Sequence, residues 1–148
     1  MPDKKTLERA HENAAKGKSP STQAGEFVRE EIEHVRKGKH GARSAKQAIA
    51  IGLSKARRAG VKLPPPGGKT SKQTQKKAAQ DTQAAKKPHK PSVKRSRAVS
   101  QALQRESHQA ASPRALSRQT HQAAAGRTRK SRSTAAKKAA QTRKRRSK

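Results

Sequence analysis

The sequence predicts a small all-α N-terminal domain of about three short helices, followed by a long, intrinsically disordered basic tail. The chain carries 39 lysines and arginines against nine acidic residues, a formal net charge of +30. Residues 1–63 hold 15 basic and seven acidic residues, whereas residues 64–148 hold 24 basic and two acidic residues. Hydrophobic residues make up 28% of the chain, against roughly 45–50% in a globular domain. The second half therefore has too little apolar surface to offset its ordering entropy.

Capping signals and apolar periodicity predict the first two helices, near 4–16 and 20–37. Asp3 can cap the first helix, whose apolar line is thin. Ser19-Pro20 opens the second, because proline suits the first helical position after a serine cap. The second helix carries an amphipathic stripe at three- and four-residue spacing, formed by Ala24, Phe27, Val28, Ile32 and Val35.

A third helix is predicted near 45–59. Ser44 and Gln47 form a capping box at its start, and Gly60 follows its cationic last turn. Gly52 and the alanines of this helix should allow another helix to approach closely. A proline- and glycine-rich linker at 64–69 then separates the helical head, 1–63, from the tail. The core of the head is small for a domain of this size, so a homodimer, a protein partner or a bound polyanion is expected to add stability.

The tail, 70–148, is rich in Lys, Arg, Ala and Gln. A ten-residue pattern at 102–111 recurs at 115–124, and each copy contains the sequence His-Gln-Ala-Ala. Low-complexity drift can produce such repeats, so they are weak evidence for structure. The tail is expected to be disordered in the free protein.

No catalytic constellation is found in the sequence, and we expect no enzyme activity, cofactor, metal or small-molecule substrate. Cysteine is absent, which excludes disulfides and thiolate metal sites. None of the six histidines pairs with a second ligand at metal-site spacing. The glutamates at positions 26, 30, 31 and 33 are expected to lie on an exposed helix face. No apolar run approaches the length of about 18 residues needed to span a membrane, which predicts a cytoplasmic protein without a membrane partner.

The basic surface is the remaining candidate site. Lysines and arginines near glycines and at helix ends are common phosphate ligands. The candidate nucleic-acid-binding residues in the head are Lys37, Lys39, His40, Arg43, Lys46, Gln47, Lys55, Arg57 and Arg58. Those in the tail are Lys94, Arg95, Arg97, Arg127, Arg129, Lys130, Arg132, Lys137, Lys138, Arg143, Lys144, Arg145 and Arg146. The alternative for the head residues is a charged, solvated loop. A helix-turn-helix reader is a further alternative, although the linker at 38–43 is longer than the usual turn.

Three segments carry a resemblance to a known family: Ser19–Ile32, Gly38–Ser44 and Lys46–Gly60. Their amino-acid sequence resembles that of a family of small basic bacterial proteins of unknown function, and the resemblance covers roughly residues 4–66. The resemblance implies a bacterial origin and supplies no activity. In composition alone, the tail resembles the tails of linker histones and bacterial histone-like proteins.

These observations predict a nucleic-acid-binding protein without sequence preference, associated with the nucleoid and compacting DNA in a histone-like way. DNA is favoured over RNA as the partner. One alternative is an RNA-binding or ribosome-associated basic protein. Another is an adaptor, in which the helical head binds a protein and the tail tethers it to DNA.

Overall fold

The structure is a computed structural model that describes residues 2–67, 70–87 and 92–146. Within these ranges the chain forms seven α-helices and one short 3-10 helix, η1. They are α1 (Lys4–Ala15), α2 (Pro20–Arg36), α3 (Ala45–Arg58), α4 (Lys72–Lys86), α5 (Val93–Gln104), η1 (His108–Ala111), α6 (Pro113–Ala125) and α7 (Arg129–Arg146). The chain divides into two compact units, Met1–Ser112 and Pro113–Lys148. None of the helices in the described ranges is both long enough and apolar enough to cross a bilayer.

Serine caps set the starts of three helices in the first unit. Ser19 Oγ accepts a hydrogen bond from the backbone N–H of Thr22 at the start of α2, and Ser44 Oγ accepts one from Gln47 at the start of α3. Ser71 caps α4 in the same way. The helices α1, α2 and α3 end one residue before their predicted ends. Each is followed by a glycine with positive φ, a conformation that glycine adopts without a steric penalty.

The first unit is built around α2 and α3, which pack against each other. Helix α1 covers α2, α4 covers α3, and η1 contacts both α2 and α3. A Cβ at Gly52 of α3 would lie 2.7 Å from the Cα of Val28, so the close approach of these helices requires glycine there. The sequence prediction for Gly52 is confirmed.

Small residues dominate the two core clusters of the first unit. One cluster contains Phe27 with Ala10, Ala24, Ala56 and Val61. The other contains Val35 with Ala42, Ala48, Ala110 and Ala111. Because most of the buried side chains are small methyl groups, the helix backbones can approach each other closely. A few large side chains, such as Phe27 and Val35, are then enough to fill the core.

The prediction of a long disordered tail is wrong. Helices α4 to α7 continue through the sequence predicted to be disordered. The segment after α5 also enters the core of the first unit, where Ala111 is fully buried and Arg36 Nε donates a hydrogen bond to its carbonyl. The backbone N–H groups of Gly41 and Ala42 donate to the carbonyls of Leu103 and Ser107.

Disorder was predicted from the scarcity of large apolar residues alone. Two other contributions to ordered structure, helix propensity and packing by small or polar side chains, were not considered. Alanine, lysine, arginine and glutamine are strong helix formers, so the tail composition favours helices. Tight packing in this protein also uses alanine and polar pairs. On α4, Ala78 and Asp81 are buried, and Ser54 Oγ of α3 donates a 2.7 Å hydrogen bond to Asp81.

The second unit contains α6 and α7. Leu116 and Ala115 of α6 are half-buried, whereas the side chains at 121–145 are exposed. The first copy of the ten-residue repeat, 102–111, runs from the end of α5 through η1, and the second, 115–124, is helical throughout. The two copies of the repeat therefore have different conformations, although their sequences are similar.

Candidate nucleic-acid interface

Helix α7 is the most densely charged element of the second unit. Nine of its 18 residues are lysine or arginine and none is acidic. Successive residues are turned by about 100° around a helix axis, so these cations occur on every side of α7. A helix without an apolar face suits an aqueous or polyanionic environment better than a protein core. The predicted binding residues on it are Arg129, Lys130, Arg132, Lys137, Lys138, Arg143, Lys144, Arg145 and Arg146.

The exposure of these side chains is uniform along α7. All described side chains from Arg129 to Arg145 are exposed. The side chain of Arg146 lies outside the described residues. Arg127, between α6 and α7, is exposed as well. The second unit therefore presents a continuous cationic segment.

The remaining candidates belong to the first unit. Lys94, Arg95 and Arg97 are exposed on the first turns of α5. This helix also leaves Val93 72% and Val99 54% exposed, so its outer surface is mixed rather than purely cationic.

The loop between α2 and α3 contributes exposed cations with weak internal partners. Lys37 lies 3.9 Å from Glu33, and the Arg43 side chain, 83% exposed, lies 3.8 Å from Glu106. Such surface ion pairs contribute little stability and exchange readily for other anions. Lys39 is also exposed.

Helix α3 presents only part of its predicted basic surface. Lys46 and Arg58 are exposed, whereas Arg57 is half-buried and donates to the carbonyl of Pro64. The Gln47 side chain accepts a 2.7 Å hydrogen bond from the N–H of Arg43, one residue earlier than in a regular capping box. Gln47 therefore has a structural partner at the start of the helix.

His40 and Lys55 point into the first unit and pair with buried carboxylates of α2. Lys55 Nζ lies 2.7 Å from Glu31 Oε2 and 3.2 Å from Glu30 Oε1, and His40 Nε2 lies 3.3 Å from Glu31 Oε1. The contacts of Glu31 are ion pairs without the alignment of regular hydrogen bonds. The cation of Lys55 is thus satisfied inside the protein.

The expectation that the α2 glutamates lie on an exposed face is wrong for Glu30 and Glu31. They are 5% and 1% exposed, respectively. The prediction was wrong because it considered only the charge of these residues. Glu30 and Glu31 follow apolar residues of α2 at helical spacing, so they lie on the side of the helix that faces the core. They are tolerated there because Lys55 of α3 reaches both carboxylates.

Two groups in this region have shifted pKa values. Burial by itself lowers the pKa of Lys55, but the carboxylates of Glu31 and Glu30 outweigh it and raise the pKa above the ordinary lysine value. At the exposed end of the cluster, the hydrogen bond with His34 lowers the pKa of the Asp3 carboxyl. Both shifts favour the charged forms.

The fold also brings together ligands that are separated in the sequence. Glu31, His34 and His40 place one nitrogen or oxygen atom each within 4.8 Å of one another, and Asp3, Glu30 and His34 do the same. The absence of sequential spacing hid this arrangement from sequence analysis. The one available signal was the Glu31-x-x-His34 spacing, which places two ligands on one side of a helix.

Comparison with known protein families gives a match over part of the chain. Residues 15–69 match the model of a family of unknown function (DUF6496), a segment that includes α2 and α3 and the loop between them. The resemblance to an uncharacterised family is confirmed over this segment. Neither the search of curated proteins nor that of solved structures found a match.

Proposed function

We propose that the protein binds nucleic acid without sequence preference, favours duplex DNA over RNA, and makes its principal contact through α7. The observation that carries the proposal is the exposure of cations on all sides of this helix, with no acidic residue among them. Because α7 contains many cations and no acidic residue, a polyanion is the partner that matches its charge best.

The dimensions of α7 suit the major groove of B-form DNA. Eighteen residues give a helix of about 27 Å. Its diameter with side chains, about 10–12 Å, is close to the groove width of about 12 Å. Phosphates line both walls of the groove, so a helix with cations on opposite sides can contact both strands at once. Such contacts are to the backbone and carry no sequence preference.

Other nucleic acids suit this helix less well. The deep, narrow major groove of A-form RNA does not admit side chains in the same way. Binding of single strands usually relies on base stacking with aromatic side chains. Phe27, the one phenylalanine in a chain without tyrosine or tryptophan, is fully buried in the first unit. These points favour duplex DNA.

The proposal assigns a binding rather than a catalytic role and a location on the chromosome. The compositional resemblance to histone-like tails agrees with compaction or coating of DNA in the cytoplasm of a bacterium. The exposed cations of the first unit, including Lys46 and Arg58, are then secondary contacts. Two contacts on one chain would allow the protein to bridge DNA segments.

The test compares binding of a random-sequence DNA duplex by two variants of equal charge. One variant replaces Lys137, Lys138, Arg143 and Arg145 of α7 with glutamine. The control replaces four exposed cations of the first unit, Lys4, Lys5, Arg9 and Lys18. Fluorescence anisotropy at several salt concentrations gives the affinity and its salt slope. Each lost phosphate contact lowers the slope by about 0.9, so the α7 variant should lose about 3 to 4 and the control much less.

A second variant, Ala139→Pro, breaks the middle of α7 without changing its charge. The proposal predicts weaker binding by this variant as well, because the two halves can no longer lie in one groove. Equal salt slopes for the α7 variant and its control would contradict a localised site. A preference of more than about tenfold for structured RNA would replace the DNA proposal with the ribosome-associated alternative.

A further inference from the structure

The polar cluster at the end of α2 contains an arrangement of ligands outside the proposed nucleic-acid interface. Glu31 and His34 lie three residues apart on α2, and His40 reaches the same point from the loop before α3. One ligand atom of each lies within 4.8 Å of the others. Tetrahedral zinc with bonds of about 2.1 Å holds its ligands about 3.4 Å apart. The 3.3 Å distance between His40 Nε2 and Glu31 Oε1 is close to this value.

The backbone fixes the tautomer of His40. Its Nδ1 lies 3.0 Å from the carbonyl oxygen of Gly41, and a carbonyl can only accept a hydrogen bond. Nδ1 therefore carries the hydrogen and donates a hydrogen bond to this carbonyl. In the neutral imidazole, Nε2 is then a hydrogen-bond acceptor. It faces Oε1 of Glu31, which is also an acceptor, so neither atom can donate to the other. A positive species between Nε2 and Oε1, a proton or a metal ion, is needed to make the contact favourable. Metal-binding histidines commonly show this arrangement of a backbone carbonyl on the other ring nitrogen.

The charges around Glu31 also leave room for a dication. Asp3, Glu30 and Glu31 contribute three negative charges, and Glu30 and Glu31 are almost completely buried. Among the described residues, the lysine that forms ion pairs with the two glutamates is Lys55. With neutral imidazoles, the two buried glutamates and Lys55 therefore leave a net charge of about −1, and the exposed Asp3, whose pKa is lowered by His34 and also by Lys39, adds a further carboxylate at the edge of the cluster. Lys55 contacts Oε2 of Glu31, so Oε1 stays available to a metal ion.

We propose that Glu31, His34 and His40 form a binding site for a divalent transition metal, with zinc as the best match. Two imidazoles and one carboxylate form a ligand set that zinc uses in proteins, with water in the fourth position. The imidazole side chains are 13% and 18% exposed, which gives the metal a route from solvent. The alternative set of Asp3, Glu30 and His34 is poorer, because Asp3 is exposed and supplies a second hard oxygen ligand in place of an imidazole.

The experiment titrates the full-length, chelator-treated protein with zinc sulfate in competition with a chromophoric chelator. The wild type should bind one equivalent per chain. His40→Ala and Glu31→Gln should each weaken binding by more than about tenfold, since loss of even a supporting residue costs about 10–100-fold. The controls His11→Ala and His121→Ala remove exposed histidines and should bind like the wild type. Circular dichroism without metal establishes whether each variant keeps its helices.

A second measurement does not depend on the variants. One equivalent of zinc should shift the imidazole proton resonances of His34 and His40 in the wild type and leave those of His11 and His121 unchanged. Zinc binding that is unaffected by both site variants, or shifts that occur first at His11 or His121, would overturn the proposal. Absence of stoichiometric binding would also overturn it and would leave protonation of the imidazoles as the means of balancing the cluster.

Discussion

The substitution Gly52→Ala tests whether α2 and α3 must touch through their main chains. The new methyl group would lie 2.7 Å from Val28 Cα and 3.0 Å from the carbonyl oxygen of Phe27. Carbon atoms in contact prefer about 3.5–4.0 Å, so the two helices would have to separate by about 1 Å. The loss of packing from such an expansion costs about 1–3 kcal/mol. This cost equals or exceeds the gain of about 1 kcal/mol in helix propensity when alanine replaces glycine.

Gly25→Ala is the matched control. Gly25 lies within α2, is exposed, and has no neighbouring atom within 4 Å of the position of a Cβ. Alanine there should therefore stabilise the protein by about 0.5–1 kcal/mol through propensity alone. Both variants have the same change in composition, and they differ only in what the methyl group meets.

Urea unfolding followed by circular dichroism measures both effects. The packing cost less the propensity gain leaves a net loss of up to about 2 kcal/mol for Gly52→Ala. With an m-value of about 2 kcal/mol/M, the urea midpoint should fall by up to about 1 M. The Gly25→Ala midpoint should rise. If Gly52→Ala is as stable as Gly25→Ala, the helices do not meet at Gly52 and the packing described above is incorrect.

Two further predictions concern the polar cluster and the segment after α5. Lys55→Met leaves the buried Glu31 unbalanced and should cost roughly 3–5 kcal/mol in urea unfolding, whereas Lys46→Met on the exposed side of α3 should change little. Because the pKa of Lys55 is raised on folding, its contribution to stability is present below about pH 10 and is lost at higher pH, a loss that the Lys55→Met variant should not show. In Gly41→Ala, the new methyl group would collide with the carbonyl of Glu106. Amide exchange across 103–111 should therefore become faster, while α1 stays protected. Unchanged exchange would contradict the packing of 103–111 against the loop that contains Gly41.

Local signals predicted the N-terminal helices because their caps and ends depend on neighbouring residues. Ser19 and Ser44 bond to N–H groups three residues away, and Gly38 ends α2 with positive φ. The same reasoning failed for Glu31, since its burial depends on Lys55, 24 positions later in the sequence. The place of Ala111 was also hidden, because a methyl side chain gives no pattern that distinguishes a core position from a solvated helix.

The candidate interface was also predictable only in part, because some of its properties depend on local sequence and others on the fold. Charge density is a property of composition, so the sequence identified the cations of α7 directly. The internal role of Lys55 and the meeting of His34 with His40 depend on the fold. A lysine that binds a phosphate and one that balances a buried carboxylate have the same appearance in a sequence.

The hydrogen bond from Arg36 to Ala111 spans 75 residues and has a consequence for how the chain assembles. Closing a loop of this length costs about 1 kcal/mol more than closing the 25-residue loop between Glu30 and Lys55. At about 5–20 residues per second, a ribosome needs about 4–15 s to make the intervening segment. During that interval α2 and α3 can pair while Val35 still lacks Ala110 and Ala111. The nascent chain therefore presents an uncovered apolar surface that the finished protein does not have.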